Sequence, residues 1–154
     1  MRSTASAAIS TARCASSRRS ATDSPFQGGM TMQCPKCDST MQPLDIPSSR
    51  SLRCTQCQGL WVSVGEEREL HAHADGVDTG DIVVGQRYNQ IDRITCPSCP
   101  DCQLIRMVDA AQSHIWFESC GVCFGRFYDA GELRDSAEHT VMEFIRNLDA
   151  PERV

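Results

Sequence analysis

The sequence predicts a small, metal-stabilised α+β fold. It reads as two tandem modules, each a knuckle, a β-hairpin and a second knuckle followed by a short capped helix, with one further helix at the C-terminal end. Three observations carry this. Ten cysteines stand in 154 residues, and eight of them group as four C-x-x-C pairs. The stretches CQGLWVSVGEE at 57–67 and CFGRFYDAGEL at 123–133 align without a gap, which marks an internal repeat. Two Trp, two Tyr and five Phe leave little for one large apolar core, so small folds of this kind need cross-links.

The elements follow in chain order. Residues 1–29 are rich in Ser, Ala, Thr and Arg, with Asp23 the one acid among them. They read as an extension outside the fold, either disordered or upstream of a translation start at Met30 or Met32. Because they lack a long apolar stretch, the rival reading is an organellar targeting segment, not a secretory signal. The first module spans 30–74, a glycine-dotted acidic linker 75–95, and the second module with its C-terminal helix 96–150. The short apolar piece Ile82-Val83-Val84 marks the linker's one candidate strand.

Cys34-Pro35-Lys36-Cys37 precedes Cys54-Thr55-Gln56-Cys57, and Cys96-Pro97-Ser98-Cys99 precedes Cys120-Gly121-Val122-Cys123. A C-x-x-C pair bends into a knuckle with both sulfurs on one centre, and two such pairs complete a tetrahedron around Zn²⁺. Both copies fall within the C-x₂-C-x₁₅₋₂₀-C-x₂-C zinc signature. The metal ligands are therefore expected to be Cys34, Cys37, Cys54 and Cys57, and Cys96, Cys99, Cys120 and Cys123, with two Zn²⁺ per chain. Between the pairs, Leu44-Asp45-Ile46 runs out and Leu52 returns about a Pro47-Ser48-Ser49 turn. In the second copy His114–Glu118 is the returning strand, with Leu104, Met107 and Val108 on the outgoing arm.

Ser63 with Glu66, and Asp129 with Glu132, are spaced as N-cap and N3 residues, predicting helices over 64–74 and 130–136. Trp61 and Phe127, just before these caps, are expected to fill each module's mini-core. EHTVMEFIRNL at 138–148 places Val141, Phe144, Ile145 and Leu148 on one face of a last helix.

CPKC, CTQCQGLWVSVGEE, CPSC and CGVCFGRFYDAGEL together resemble the transcription factor IIB-type zinc-finger family of small zinc ribbons. The resemblance covers 34–71 and 96–134 and implies one structural zinc site per copy on the cysteines named above. Ser63 stands where the family has Asp, Glu67 where it has Leu, and Phe127-Tyr128 where it has Trp-Leu. These departures touch packing and capping but spare the metal ligands.

Cys14 lies in the extension. Cys99-Pro100-Asp101-Cys102 is itself a C-x-x-C, so Cys102 competes with Cys96 as the partner of Cys99. Cys96 is preferred because only Cys96 and Cys99 reproduce the CPxC of the first copy, and Cys102 is then read as a spare thiol beside the second site, open to oxidation or ligand swapping. His71, His73, His114 and His139 are poor ligand candidates, because four thiolates already close each tetrahedron; His71 and His73 are expected to be solvated. Glu66 and Glu132 are read as helix-capping groups, not catalytic carboxylates, since catalytic zinc keeps an open position. A disulfide scaffold and a thioredoxin-like redox site are both disfavoured by the close-spaced pairs and the missing βαβ setting.

Residues 30–154 carry 11 basic and 19 acidic side chains, a net of −8 that two four-thiolate zinc sites would take to −12. Nucleic-acid binding needs a basic face, and this composition disfavours it. No run of about 18 apolar residues exists, so no membrane span is expected. The expectation is a non-enzymatic, cytoplasmic protein-interaction module whose partner belongs to a setting such as transcription or translation. The rivals are a nucleic-acid-binding transcription regulator using Arg50, Arg53, Arg126 and Arg134, and a thiol-redox or zinc-responsive protein using Cys102.

Overall fold

The computed structural model describes residues 32–137 apart from 92, 100 and 111. The N-terminal extension and the helix expected over 138–148 lie outside the described residues. The fold is α+β, with strands β1 (Met41–Pro43), β2 (Leu52–Cys54), β3 (Leu60–Val62), β4 (Ile105–Val108), β5 (Trp116–Ser119) and β6 (Arg126–Tyr128). Helices α1 (Glu67–Ala72), α2 (Ala74–Val77), α3 (Ile82–Tyr88) and α4 (Glu132–Ala137) complete it.

Each module contributes three antiparallel strands, and the two sets join into one six-stranded sheet of order β1-β2-β3-β6-β5-β4. The join is the antiparallel pair β3–β6, with Leu60 opposite Tyr128, Trp61 opposite Phe127 and Val62 opposite Arg126. In the repeat alignment Trp61 and Phe127 are equivalent, so a pseudo-two-fold axis passes through that central pair. Instead of filling separate mini-cores, Trp61 and Phe127 share one cluster with cysteines of both modules and with Met41, Leu52, Ile94 and Leu104. On the opposite face Leu60, Val62, Phe117 and Tyr128 pack with the helix residues Leu70, Val77 and Leu133. The period-2 alternation of short strands thus sends one set of side chains to the cysteines and the other to the helices.

Two glycines make the join close. A Cβ on Gly59 would stand 2.5 Å from the Phe127 ring, and one on Gly125 would stand 2.3 Å from the Trp61 ring. Each module's glycine receives the other module's aromatic. Gly125→Ala is therefore expected to lower stability by about 1–3 kcal/mol through overpacking. Urea denaturation of the zinc-loaded protein checks this; an unchanged midpoint would show that the rings move aside freely.

The single helix expected over 64–74 is two short ones broken at His73, and α4 begins two residues later than expected. Gly65 and Gly131, equivalent in the repeat, hold φ of +84° and +91°, where a side chain is disfavoured. This left-handed turn forces both helices to start beyond the expected cap. The Ile82-Val83-Val84 piece is helical, as part of α3, with Asp81 as N-cap accepting from the Val83 N–H. A local cap and close packing of Gly85 on the Ala130 backbone outweigh the strand preference of Val and Ile there. No helix among the described residues is long and apolar enough to cross a membrane.

Candidate metal centres

Two groups of four sulfurs lie inside the sheet's ends. Cys34, Cys37, Cys54 and Cys57 form one, and Cys96, Cys99, Cys120 and Cys123 the other, with all ligand atoms in each group within 4.8 Å of one another. The Cys34–Cys57, Cys37–Cys54 and Cys96–Cys123 sulfurs are 3.6, 3.4 and 3.7 Å apart. Tetrahedral Zn–S bonds of about 2.3 Å need sulfurs about 3.8 Å apart, so the cages fit the ion with little adjustment.

Local backbone geometry explains why the sulfurs converge. The residue after the knuckle has left-handed φ at Asp38, Gln58 and Phe124, and the Asp38 and Phe124 N–H groups turn back onto the carbonyls of Cys34 and Cys120. N–H groups then point at sulfur, Gln56 N to Cys54 Sγ and Val122 N to Cys120 Sγ, both at 3.4 Å. Such donors favour thiolate over thiol. The hydrogen bond from Cys57 and the backbone N–H groups of Lys36 and Cys37 pull Cys34 down to about 6 against the opposing effect of burial. Cys123 falls to about 5 through the hydrogen bond from Cys96, again against burial. Their partners Cys57 and Cys96 are pushed up by those same hydrogen bonds and by burial. In each cage one sulfur of the hydrogen-bonded pair is thus favoured as thiolate and its partner as thiol. A divalent cation is what lets all four ionise together.

The chain carries two four-cysteine groups of the zinc-ribbon kind, and one comparison with known proteins bears on its kinship. Residues 33–72 match the transcription factor zinc-finger family. That match covers the first four cysteines and α1, well under half the chain, and the second cysteine group repeats the zinc-finger donor set beyond it. No curated protein and no solved structure matches the chain.

Two departures from the zinc-finger pattern meet in space. The Tyr128 hydroxyl donates to Glu67 Oε1 at 2.6 Å, and Arg126 Nη1 donates to the same oxygen. Glu67 belongs to the first module and the other two to the second, so the unusual residues tie the modules together. Arg126 also lies over the Phe117 ring.

The remaining candidates are placed differently from expectation. Glu66 does not cap through its side chain; it is itself the N-cap residue of α1, without a side-chain cap bond. Its carboxylate instead binds the hairpin turn, accepting from the hydroxyls of Ser49 and Ser51, the N–H groups of Arg50 and Ser51, and Arg50 Nε. Burial works to raise its pKa, but these donors outweigh it and hold the group below the usual carboxylate range. Nor does Asp129 cap α4. Asp78, from the expected linker, does so, accepting from the N–H groups of Gly131 and Arg134.

Asp129 joins a buried cluster that the sequence did not announce. Lys36 Nζ lies 2.9 Å from both Glu118 Oε1 and Asp129 Oδ2 and donates to the Tyr88 carbonyl at 3.1 Å. Glu132 stands near, accepting from Asn89 Nδ2. Burial, then the charges of Asp129 and Glu118, push Glu132 up to about 8. A carboxyl whose folded pKa exceeds its unfolded value of 4.5 costs stability as pH rises between the two, and the cost is complete above the folded value. Glu132→Gln keeps the Asn89 partner and removes that cost. Its melting temperature is expected to exceed wild type progressively from pH 5 to 9; parallel curves would contradict the assignment.

Cys102 is buried and is not a free thiol, so the expected spare thiol is not met. Its carbonyl accepts from Cys96 N–H, and its own N–H donates to the Cys99 carbonyl, which shapes the knuckle without supplying a ligand. His71 is hydrogen-bonded to the Ser136 hydroxyl at 3.0 Å, not simply solvated. Arg50 binds Glu66, Arg53 the Val77 carbonyl and Thr79, and Arg134 the Asp78 carbonyl. With Arg126 on Glu67, the four candidate nucleic-acid contacts each have an internal partner.

Proposed function

We propose that this is a non-enzymatic, cytoplasmic interaction module in which two Zn²⁺ ions, one per four-cysteine group, hold a duplicated sheet rigid for a protein partner. The observation that carries the reading is the closure of both cages by four sulfurs each. Four thiolates leave a tetrahedral ion no position for water or substrate, so the metal supplies folding energy, not chemistry. The acidic charge of the body and the internal partners of its arginines favour a protein over nucleic acid. Transcription or translation machinery is the setting in which a ribbon of this pattern is to be tried first.

Native mass spectrometry of the full chain, purified without added metal or chelator, tests the scaffold. Two zinc ions per chain and eight thiols shielded until metal is displaced are expected. One ion or none, with disulfides in the cages, would overturn it. Anisotropy titrations with labelled duplex DNA and single-stranded RNA at low salt test the partner class. Weak binding is expected, whereas tight binding that falls steeply with salt would move the reading to a nucleic-acid regulator.

A further inference from the structure

The repeat supplies an internal control for surface chemistry. Gln42 pairs with Arg53 in the first hairpin, and Ile105 pairs with Ser119, the equivalent of Arg53, in the second. Ile105 therefore stands where the first module has Gln42. The ungapped stretch likewise sets Val122 against Gln56 and Phe124 against Gln58. One corner of the molecule carries three glutamines, and the matching corner carries three apolar residues exposed by 59, 49 and 62 %. The first module holds the same hairpin and knuckle without apolar groups there, so the fold does not require them. Phe124 even sits at φ +59°, a conformation a bulky residue disfavours.

Among the described residues, the strand beside this corner has no strand on its outer side. β4 is the last strand of the sheet, and all four of its residues are exposed. The opposite edge, β1, carries Pro43, a residue that blunts strand addition, and β4 has none. Its one cation, Arg106, is drawn aside over the Trp116 ring and onto Asn89. Ile105 Cδ1 lies 3.9 Å from where a Cβ on Gly121 would stand, so strand and knuckle form one surface.

We propose that β4 and the second knuckle dock an extended peptide segment of another protein, one that alternates basic and apolar residues and adds to the sheet beside β4. The proposal rests on the interaction-module reading above and names its surface and partner class. Backbone groups on the open edge supply the pairing, and Ile105, Val122 and Phe124 receive the apolar side chains. Charge selects the occupant. A four-thiolate zinc site under Val122 and Phe124 carries −2, and residues 30–154 carry −8 before metal is counted. A second copy of this chain would bring the same sign of charge to the contact, whereas a basic segment complements it.

The test uses the full zinc-loaded chain and fluorescein-labelled peptides in anisotropy titrations. One peptide alternates Lys with Val, a second Glu with Val, a third Lys with Ser, and a fourth is the first with a central Pro. The Lys/Val peptide is expected to bind at least about tenfold more tightly than each of the others. The variant Ile105→Gln, Val122→Gln, Phe124→Gln copies the first module's surface and is expected to lose that binding at least about tenfold with two zinc ions retained. Phe124→Gln alone serves should the triple variant lose metal, and is expected to weaken binding by a smaller factor. Absence of Lys/Val binding, equal binding by the Glu/Val peptide, or unchanged binding by the glutamine variants would overturn the proposal. So would a wild-type dimer in sedimentation that the glutamine variants abolish, since the occupant would then be a second copy. These failures leave zinc content intact, whereas failure of the underlying reading appears as missing zinc in the wild-type chain.

Discussion

Removal of zinc is expected to unfold both modules in one transition. Structural zinc contributes about 10–16 kcal/mol per site in small metal-dependent folds, and a domain of this size has a net stability of about 5–15 kcal/mol. Neither half can absorb such a loss. The halves also lack independent cores, because Trp61 and Phe127 share one cluster with the cysteines of both sites and β3 pairs with β6. Losing one cage exposes the aromatic that the other module's glycine receives. The two tryptophans report on the two modules, Trp61 buried in the join and Trp116 part-exposed on β5. During titration with a strong chelator, Trp116→Phe and Trp61→Phe variants isolate each signal. Coincident transitions are expected, and Cys57→Ser should weaken the second site as well as the first. Two transitions well apart in chelator concentration would show that the join carries little energy.

Replacing Lys36 should be the most damaging change outside the cysteines. Its side chain is 0 % exposed and holds two carboxylates, Glu118 and Asp129, that are 5 % and 1 % exposed. Burial already raises both carboxyl pKa values against the pull of Lys36. Lys36→Met leaves two buried acids uncompensated, a loss of about 3–5 kcal/mol. The acids can escape only by taking up protons. Their folded pKa values then rise further above the unfolded ones, so the deficit relative to wild type shrinks as pH falls and grows as it rises. Adding Glu118→Gln and Asp129→Asn should recover most of the loss, because the two carboxylates that Lys36 holds are then uncharged. Urea midpoints of the single, double and triple variants form the cycle that measures the coupling. A Lys36→Met protein as stable as wild type at pH 8 would show that the ion cluster contributes nothing net.

The cages were legible in the sequence because cysteine spacing is a short-range signal that needs only the knuckle and a hairpin to satisfy it. Gly65 and Gly131 were legible as a repeat, though not as the left-handed turn that displaces the helix caps. What escaped sequence reading is long-range. The β3–β6 join involves three residues a side, and the sign of it in sequence is a pair of glycines whose missing side chains matter only once the partner ring is known. Nothing local to Lys36 announces the ion cluster, because Glu118 and Asp129 are brought to it from 82 and 93 residues away. Glu66 offered a local capping pattern, and five donors from the hairpin turn outcompeted it. Ile82–Val84 offered a strand composition, and a local Asp81 cap with the Gly85 contact made it helix.

The axis through Trp61 and Phe127 has a consequence for how such a chain can change over time. A single ribbon with a free β3 would meet its twin along this very edge, and their union would depend on how many copies were present. Tethering the two in one chain converts that encounter into an intramolecular one, with an effective concentration on the order of millimolar. Being joined, the halves are released from the obligation to remain identical. The ion cluster runs in one direction only, since the positions equivalent to Lys36, Glu118 and Asp129 are Ser98, Leu52 and Ser63. Duplication here produced left and right hands: one half contributes the lysine that clasps the other, and the other keeps an outer edge of its own.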